Sequence, residues 1–115
     1  MQPFIGVRRE DKSEWERRVP VTPADAAELL EQHGIDVIVQ PSPIRAFGDE
    51  EYAQRGVHLS EDLSPCPVVL GIKEMPEKVF EPDRTYVFFA HVIKGQAYNM
   101  PMLQRMLDLG CTLVD

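Results

Sequence analysis

Thr22-Pro23-Ala24-Asp25-Ala26-Ala27-Glu28-Leu29-Leu30-Glu31-Gln32-His33-Gly34, followed by Asp36-Val37-Ile38-Val39-Gln40, is a helix that runs into a strand. Thr22 is placed to cap the first turn. Pro23 stands at the first helical position, where a missing N–H costs nothing. Asp25 follows the cap by three residues, as in a capping box, and suits the positive end of the helix. Ala26, Leu29 and Leu30 share a face, and Gly34 provides the left-handed stop near His33. The strand that follows is nearly continuous in β-branched residues, the pattern of a parallel strand buried on both faces.

The same alternation extends outward. Phe4 to Arg8 reads as a strand with Gly6 inside it. Asp49 to Arg55 reads as a short helix with Asp49 as cap and Gly56 as stop, and Val57-His58-Leu59 as a short extended segment. Val68 to Ile72 and Thr85 to Ala90 are strands. Asn99 or Met100 opens a helix with Pro101 near its start, whose core stripe is Met102, Leu103, Met106 and Leu107. Gly110 stops it before a strand at Cys111 to Val114. Strands alternating with helices imply βαβ units with right-handed crossovers. The expected fold is therefore α/β, a doubly wound, mostly parallel sheet with helices on both faces, Rossmann-like or flavodoxin-like.

Bulk properties narrow the function. The chain has 115 residues, enough for one domain. Twelve basic against nineteen acidic residues give a net charge of −7, which opposes a nucleic-acid or anionic-membrane surface. There is no apolar run of spanning length and no secretory signal, so the expected location is the cytoplasm, or the mitochondrial matrix in a eukaryote. Cys66 and Cys111 lack metal-ligand spacing and read as small buried hydrophobes; no disulfide is expected. No glycine-rich dinucleotide fingerprint, phosphate loop, metal cluster or nucleophile elbow is present.

Three side chains carry the chemistry. Arg18 lies in the loop after the first strand, Lys73 directly after the strand ending at Ile72, and His91 directly after the strand ending at Ala90. In a parallel sheet these ends share one edge, and ligands bind in the crevice beyond the carboxyl ends of the strands. A guanidinium grips a carboxylate through two parallel hydrogen bonds. A lysine among other cations, partly desolvated, becomes a usable acid or base. Histidine titrates near neutral pH unaided. The set suits a small carboxylate whose carbonyl or amine exchanges protons. The run Arg8 to Arg18, dense in alternating charge, reads as a solvated loop.

Gly6-Val7-Arg8-Arg9-Glu10-Asp11-Lys12, Trp15-Glu16-Arg17-Arg18-Val19-Pro20-Val21-Thr22-Pro23, Leu70-Gly71-Ile72-Lys73 and Tyr86-Val87-Phe88-Phe89-Ala90-His91-Val92-Ile93-Lys94-Gly95-Gln96 together resemble one family over nearly the whole chain. It is the amino-terminal segment of lysine 2-oxoglutarate reductase/saccharopine dehydrogenase. A looser likeness, through Phe47-Gly48-Asp49 with Tyr52 and Lys73-Glu74 with Pro76, extends to the amino-terminal domains of alanine dehydrogenase and transhydrogenase. The resemblance implies that residues 1–115 form a substrate-binding lobe, with NAD or NADP held by a second lobe that is absent here. It implies Arg18 as the substrate-carboxylate arginine and Lys73 and His91 as the acid–base pair, with Lys94 and Gln96 as further substrate contacts. The implied reaction is the reductive condensation of lysine with 2-oxoglutarate to saccharopine. The chain alone is expected to bind no cofactor and to turn nothing over, and its exposed interlobe face is expected to favour self-association. Two other readings stay open: the lobe of an alanine dehydrogenase or transhydrogenase, and a stand-alone binding module that has lost catalysis.

Overall fold

The computed structural model describes residues 4–90 and 97–115. Six strands, β1 (Phe4–Val7), β2 (Asp36–Val39), β3 (His58–Leu59), β4 (Val68–Leu70), β5 (Thr85–Val87) and β6 (Thr112–Val114), form one sheet in the order β3-β2-β1-β4-β5-β6. Every neighbouring pair is parallel, with Ile5 opposite Val37 on one side and Val68 on the other. The helices are α1 (Pro23–His33), α2 (Asp49–Ala53) and α3 (Met100–Leu109), with short 3-10 turns at Glu77–Val79 and Ala97–Asn99.

This is the Rossmann strand order, with its reversal of direction between β1 and β4. Right-handed crossovers put helices on opposite faces of the two halves. Successive strand residues point to opposite faces, so β2 serves both cores. Val37 and Val39 pack with Val7, Val21, Ala26, Tyr52 and Val57 beneath α1 and α2. Ile38 joins Val69, Phe80, Tyr86, Phe88, Met102 and Met106 beneath α3 and the Glu77–Val79 turn.

The local signals read from the sequence are present. Thr22 Oγ1 accepts the Asp25 N–H at 3.1 Å, and Gly34 and Gly110 close α1 and α3 with φ of 66° and 69°. Several expectations need correction. Gly48, not Asp49, caps α2, its N–H donating to the Glu51 carboxylate at 2.7 Å. Asp49 is the first helical residue and turns its carboxylate to the Ser42 N–H and to Arg45. The strands that begin at Val68 and Thr85 end at Leu70 and Val87, short of Ile72 and Ala90, although single cross-strand bonds such as Phe89 N–H to the Ile72 carbonyl continue beyond them. Leu107 is exposed rather than in the core stripe, and Cys111 is only half-buried, with its Sγ donating to the Glu81 carbonyl. Cys66 is fully buried, and that burial pushes its thiol up to about 11.

Candidate functional site

The strand order reverses between β1 and β4, and an open α/β sheet places its ligand beyond the carboxyl ends of its strands at such a point. The ladder continues briefly past the strands: the Arg8 N–H donates to the Leu70 carbonyl and the Gln40 N–H to the Val7 carbonyl, both at 3.0 Å. The chain then leaves the sheet and runs across this edge. Arg8 is buried, with Nη2 on Asp11 Oδ2 at 2.6 Å and Nη1 on the Arg9 carbonyl at 2.9 Å.

Glu10 reaches from the β1 side to the β4 side. Its Oε2 accepts the Ile72 N–H at 2.9 Å and its Oε1 the Lys73 N–H at 2.8 Å. Gly71 sits at the same spot: a Cβ there would lie 2.6 Å from Met75 Cε and 3.5 Å from Glu10 Oε2.

Arg18 emerges from a turn closed by the Glu16 N–H on the Ser13 carbonyl. Its guanidinium holds a carboxylate at two points, Nε to Glu16 Oε2 at 2.9 Å and Nη2 to Glu16 Oε1 at 2.7 Å, and its own N–H also donates to Oε2. The Glu16 side chain is 6% exposed and that of Arg18 63% exposed, so the pair is a buried anion held by a cation open to solvent. The Arg18 hydrogen bonds above all, with the Arg18 and Lys73 charges behind them, hold the Glu16 carboxyl down at about 2 against the opposing effect of burial. In return Glu16 pushes the Arg18 guanidinium up, and Glu10 adds a smaller push. Val7, Glu10, Glu16, Arg18, Ser42 and Arg45 border one small cleft at this edge. Arg45 is buried, its Nη2 on the Gln40 carbonyl at 2.7 Å and its guanidinium 5.4 Å from the Tyr52 ring centre; burial pushes it down.

Arg18 and Lys73 thus stand at one strand-end edge, Arg18 paired with Glu16 and the Lys73 N–H with Glu10, close enough for the Lys73 charge to act on Glu16 and the Glu10 charge on Arg18. The structure also adds what the sequence reading lacked. The run Arg8 to Arg18 is not simply a solvated loop: Arg8 and Glu16 are buried and Glu10 is half-buried. Lys73 stands near carboxylates, its N–H on Glu10 and its charge acting on Glu16. The available signal was the termination of that charged run against Val19-Pro20-Val21, which ties it to the core through buried Val21.

His91, Lys94 and Gln96 lie outside the described residues. What leads up to His91 is described. The Phe89 N–H donates to the Ile72 carbonyl at 3.0 Å and the Phe88 N–H to the Val114 carbonyl at 3.2 Å. The Ala90 N–H donates to Asp115 Oδ1 at 3.0 Å, and Asn99 Nδ2 donates to the Ala90 carbonyl at 2.9 Å. Ala90 therefore leaves the sheet beside the chain segment that carries Ile72 and Lys73.

An open groove runs between α1 and α2 past Ala27, Phe47 and Gln54, and Glu10, Arg18 and Lys73 take no part in it. Among the described residues no group of three or more His, Cys, Asp or Glu could hold a metal ion, and no helix is long and apolar enough to cross a membrane.

Residues 6–115 match the family described as alanine dehydrogenase/PNT, N-terminal domain. The chain belongs to that family. Within it, the chain is 40% identical to alpha-aminoadipic semialdehyde synthase of Arabidopsis thaliana, over 96% of its own length and 11% of the relative's. The mitochondrial alpha-aminoadipic semialdehyde synthase of Bos taurus is also 40% identical, over 96% of this chain and 12% of that protein. Saccharopine dehydrogenase (NAD(+), L-lysine-forming) of Neurospora crassa is 35% identical, over 100% of this chain and 32% of the relative. The chain therefore spans only a small part of the first two and about a third of the last. Among solved structures, an L-alanine dehydrogenase superposes with a TM-score of 0.76 at 20% identity, covering 96% of this chain and 31% of that one. A transhydrogenase from Sinorhizobium meliloti gives 0.74 at 18% identity, covering 95% and 33%. These two show that the alanine dehydrogenase/PNT N-terminal fold is shared.

Proposed function

We propose that this chain is the substrate-binding lobe of an NAD(P)-dependent amino-acid dehydrogenase of the saccharopine-forming type, one that joins lysine to 2-oxoglutarate. The observation that carries the reading is the two-point grip of Arg18 on a carboxylate, beside Lys73, at the sheet's reversal point. Arg18 binds a carboxylate of the 2-oxo acid in the geometry it now uses for Glu16. Lys73 and His91 move protons at the carbonyl oxygen and at the nitrogen that replaces it. Lys94 and Gln96 contact the remainder of the substrate. The identity to relatives named alpha-aminoadipic semialdehyde synthase and saccharopine dehydrogenase supports the lysine branch over the alanine branch.

The described residues do not fit a dinucleotide. The paired N–H groups at the reversal point are taken by Glu10, and α1 opens on a proline and is capped by its own Thr22. Hydride chemistry belongs to a separate dinucleotide-binding lobe. The occupied state of Arg18 favours one second reading, a binding module without catalysis, in which the Arg18–Glu16 pair is permanent.

Calorimetric titration of 2-oxoglutarate into this chain separates the readings. Binding that Arg18→Ala weakens by about 10–100-fold, the worth of a charge-assisted hydrogen-bond pair, supports the substrate role. Equal binding by the variant removes it. Supplying a dinucleotide-binding lobe and following nicotinamide oxidation then tests the branch: turnover with pyruvate and ammonia, but not with lysine and 2-oxoglutarate, would sink the lysine assignment.

A further inference from the structure

We propose that Glu10 is a positioning residue for Lys73: its carboxylate spans the gap between β1 and β4 and fixes the backbone at Ile72 and Lys73, setting where the Lys73 ammonium group stands. The inference rests on the reading of Lys73 as a proton-transfer group.

Beyond Leu70 the β4 chain keeps its contacts on the β5 side, through Gly71 N–H to the Val87 carbonyl at 2.9 Å and Phe89 N–H to the Ile72 carbonyl at 3.0 Å. On the β1 side it has lost its neighbour, because β1 ends at Val7 and the chain turns off after Arg8. The N–H groups of Ile72 and Lys73 would be orphaned there, and Ile72 is buried, so an unpaired donor is costly. Two successive N–H groups aimed at one anion form the concavity that in other proteins cradles a bound phosphate. This chain fills it with its own carboxylate, one oxygen per N–H, at 2.9 and 2.8 Å.

Gly71 belongs to the same device. Its missing side chain leaves room for the end of Met75 directly beside the Glu10 carboxylate. Glu10 holds the Lys73 backbone and not its charge: among the described residues no carboxylate forms a direct ion pair with the Lys73 ammonium group. That group stays available for proton exchange while its root is held at two points.

The test uses this chain with its lysines, Lys12, Lys73, Lys78 and Lys94, reductively methylated with 13C-formaldehyde. Lys73→Arg assigns the Lys73 signal. In the unaltered chain, at one fixed pH, that signal is resolved from those of the other lysines. Glu10→Ala moves it onto theirs, and hydrogen exchange at the Ile72 and Lys73 amides quickens by about tenfold or more. Glu10→Gln, which keeps one acceptor, gives an intermediate signal position. An unchanged Lys73 signal in Glu10→Ala, with only the amide exchange quickened, overturns the proposal and leaves Glu10 a backbone clamp. If circular dichroism shows Glu10→Ala unfolded, the folded Glu10→Gln decides: a displaced Lys73 signal supports the proposal and an undisplaced one overturns it. The substrate reading fails separately, in the 2-oxoglutarate titration of Arg18→Ala, which does not depend on these signals.

Discussion

Arg18 and Glu16 set the electrostatic character of the strand-end edge. A buried carboxylate is stable there only because a guanidinium, itself open to water, lends it hydrogen bonds at two points. The carboxyl is held down at about 2, so its contribution to stability is complete above the ordinary glutamate value near 4.5 and is lost as pH falls through about 2. Glu16→Gln is expected to lower stability by about 1–2 kcal/mol at pH 6, a figure discounted because Arg18 is solvated, with the gap closing by about pH 2. Urea midpoints of the two proteins across that range check it. For His91, replacement by glutamine is expected to leave 2-oxo acid binding intact while cutting turnover of an assembled enzyme by about 10²–10⁴-fold, as loss of an acid–base group does. Calorimetry and turnover assays read the two effects apart. The place of Arg18 and Lys73 at one sheet edge could be read from the sequence because each follows a recognisable strand. That of Glu10 and Glu16 could not. Their neighbours in the chain are charged, and the partners that bury or engage Glu10 arrive only with Ile72 and Lys73.

Elements whose ends are written in local chemistry were the legible ones. Thr22-Pro23 opens α1, and Gly34 and Gly110 end α1 and α3, because a cap and a left-handed turn depend on a few adjacent residues. Strand ends were less legible, since where a ladder stops depends on neighbours distant in sequence; β4 loses β1 beyond Leu70 and ends short of its apolar run. Helix α2 shows how a short element is held without much intrinsic stability. Tyr52 is fully buried, and its hydroxyl donates to the Val21 carbonyl at 2.7 Å, pinning α2 to the segment that leads into α1. Tyr52→Phe keeps the packing and strands that carbonyl. A loss of about 1–2 kcal/mol is expected, measurable by thermal or urea unfolding, with no change in helix content at low temperature.

The whole molecule responds to a ligand through its unfolding equilibrium. A 2-oxo acid that binds only the folded chain stabilises it by about 2.7 kcal/mol at one hundred times its dissociation constant. For a domain of this size that corresponds to an upward shift in unfolding temperature of roughly 10 °C for the unaltered chain, cut to about half or less at the same concentration in Arg18→Ala. Differential scanning fluorimetry with 2-oxoglutarate checks it. The strand order has a further consequence, one of time. β1 is the earliest strand in the chain and lies at the centre of the sheet, paired to β2 on one side and β4 on the other. Residues 5–7 must wait for residues 68–70 before their second flank is closed. Pairings so distant along the chain are slow to find. During synthesis the edge that later carries the Lys73 N–H against Glu10 stays open until β4 has emerged, long after β1, α1 and β2 are complete in the chain.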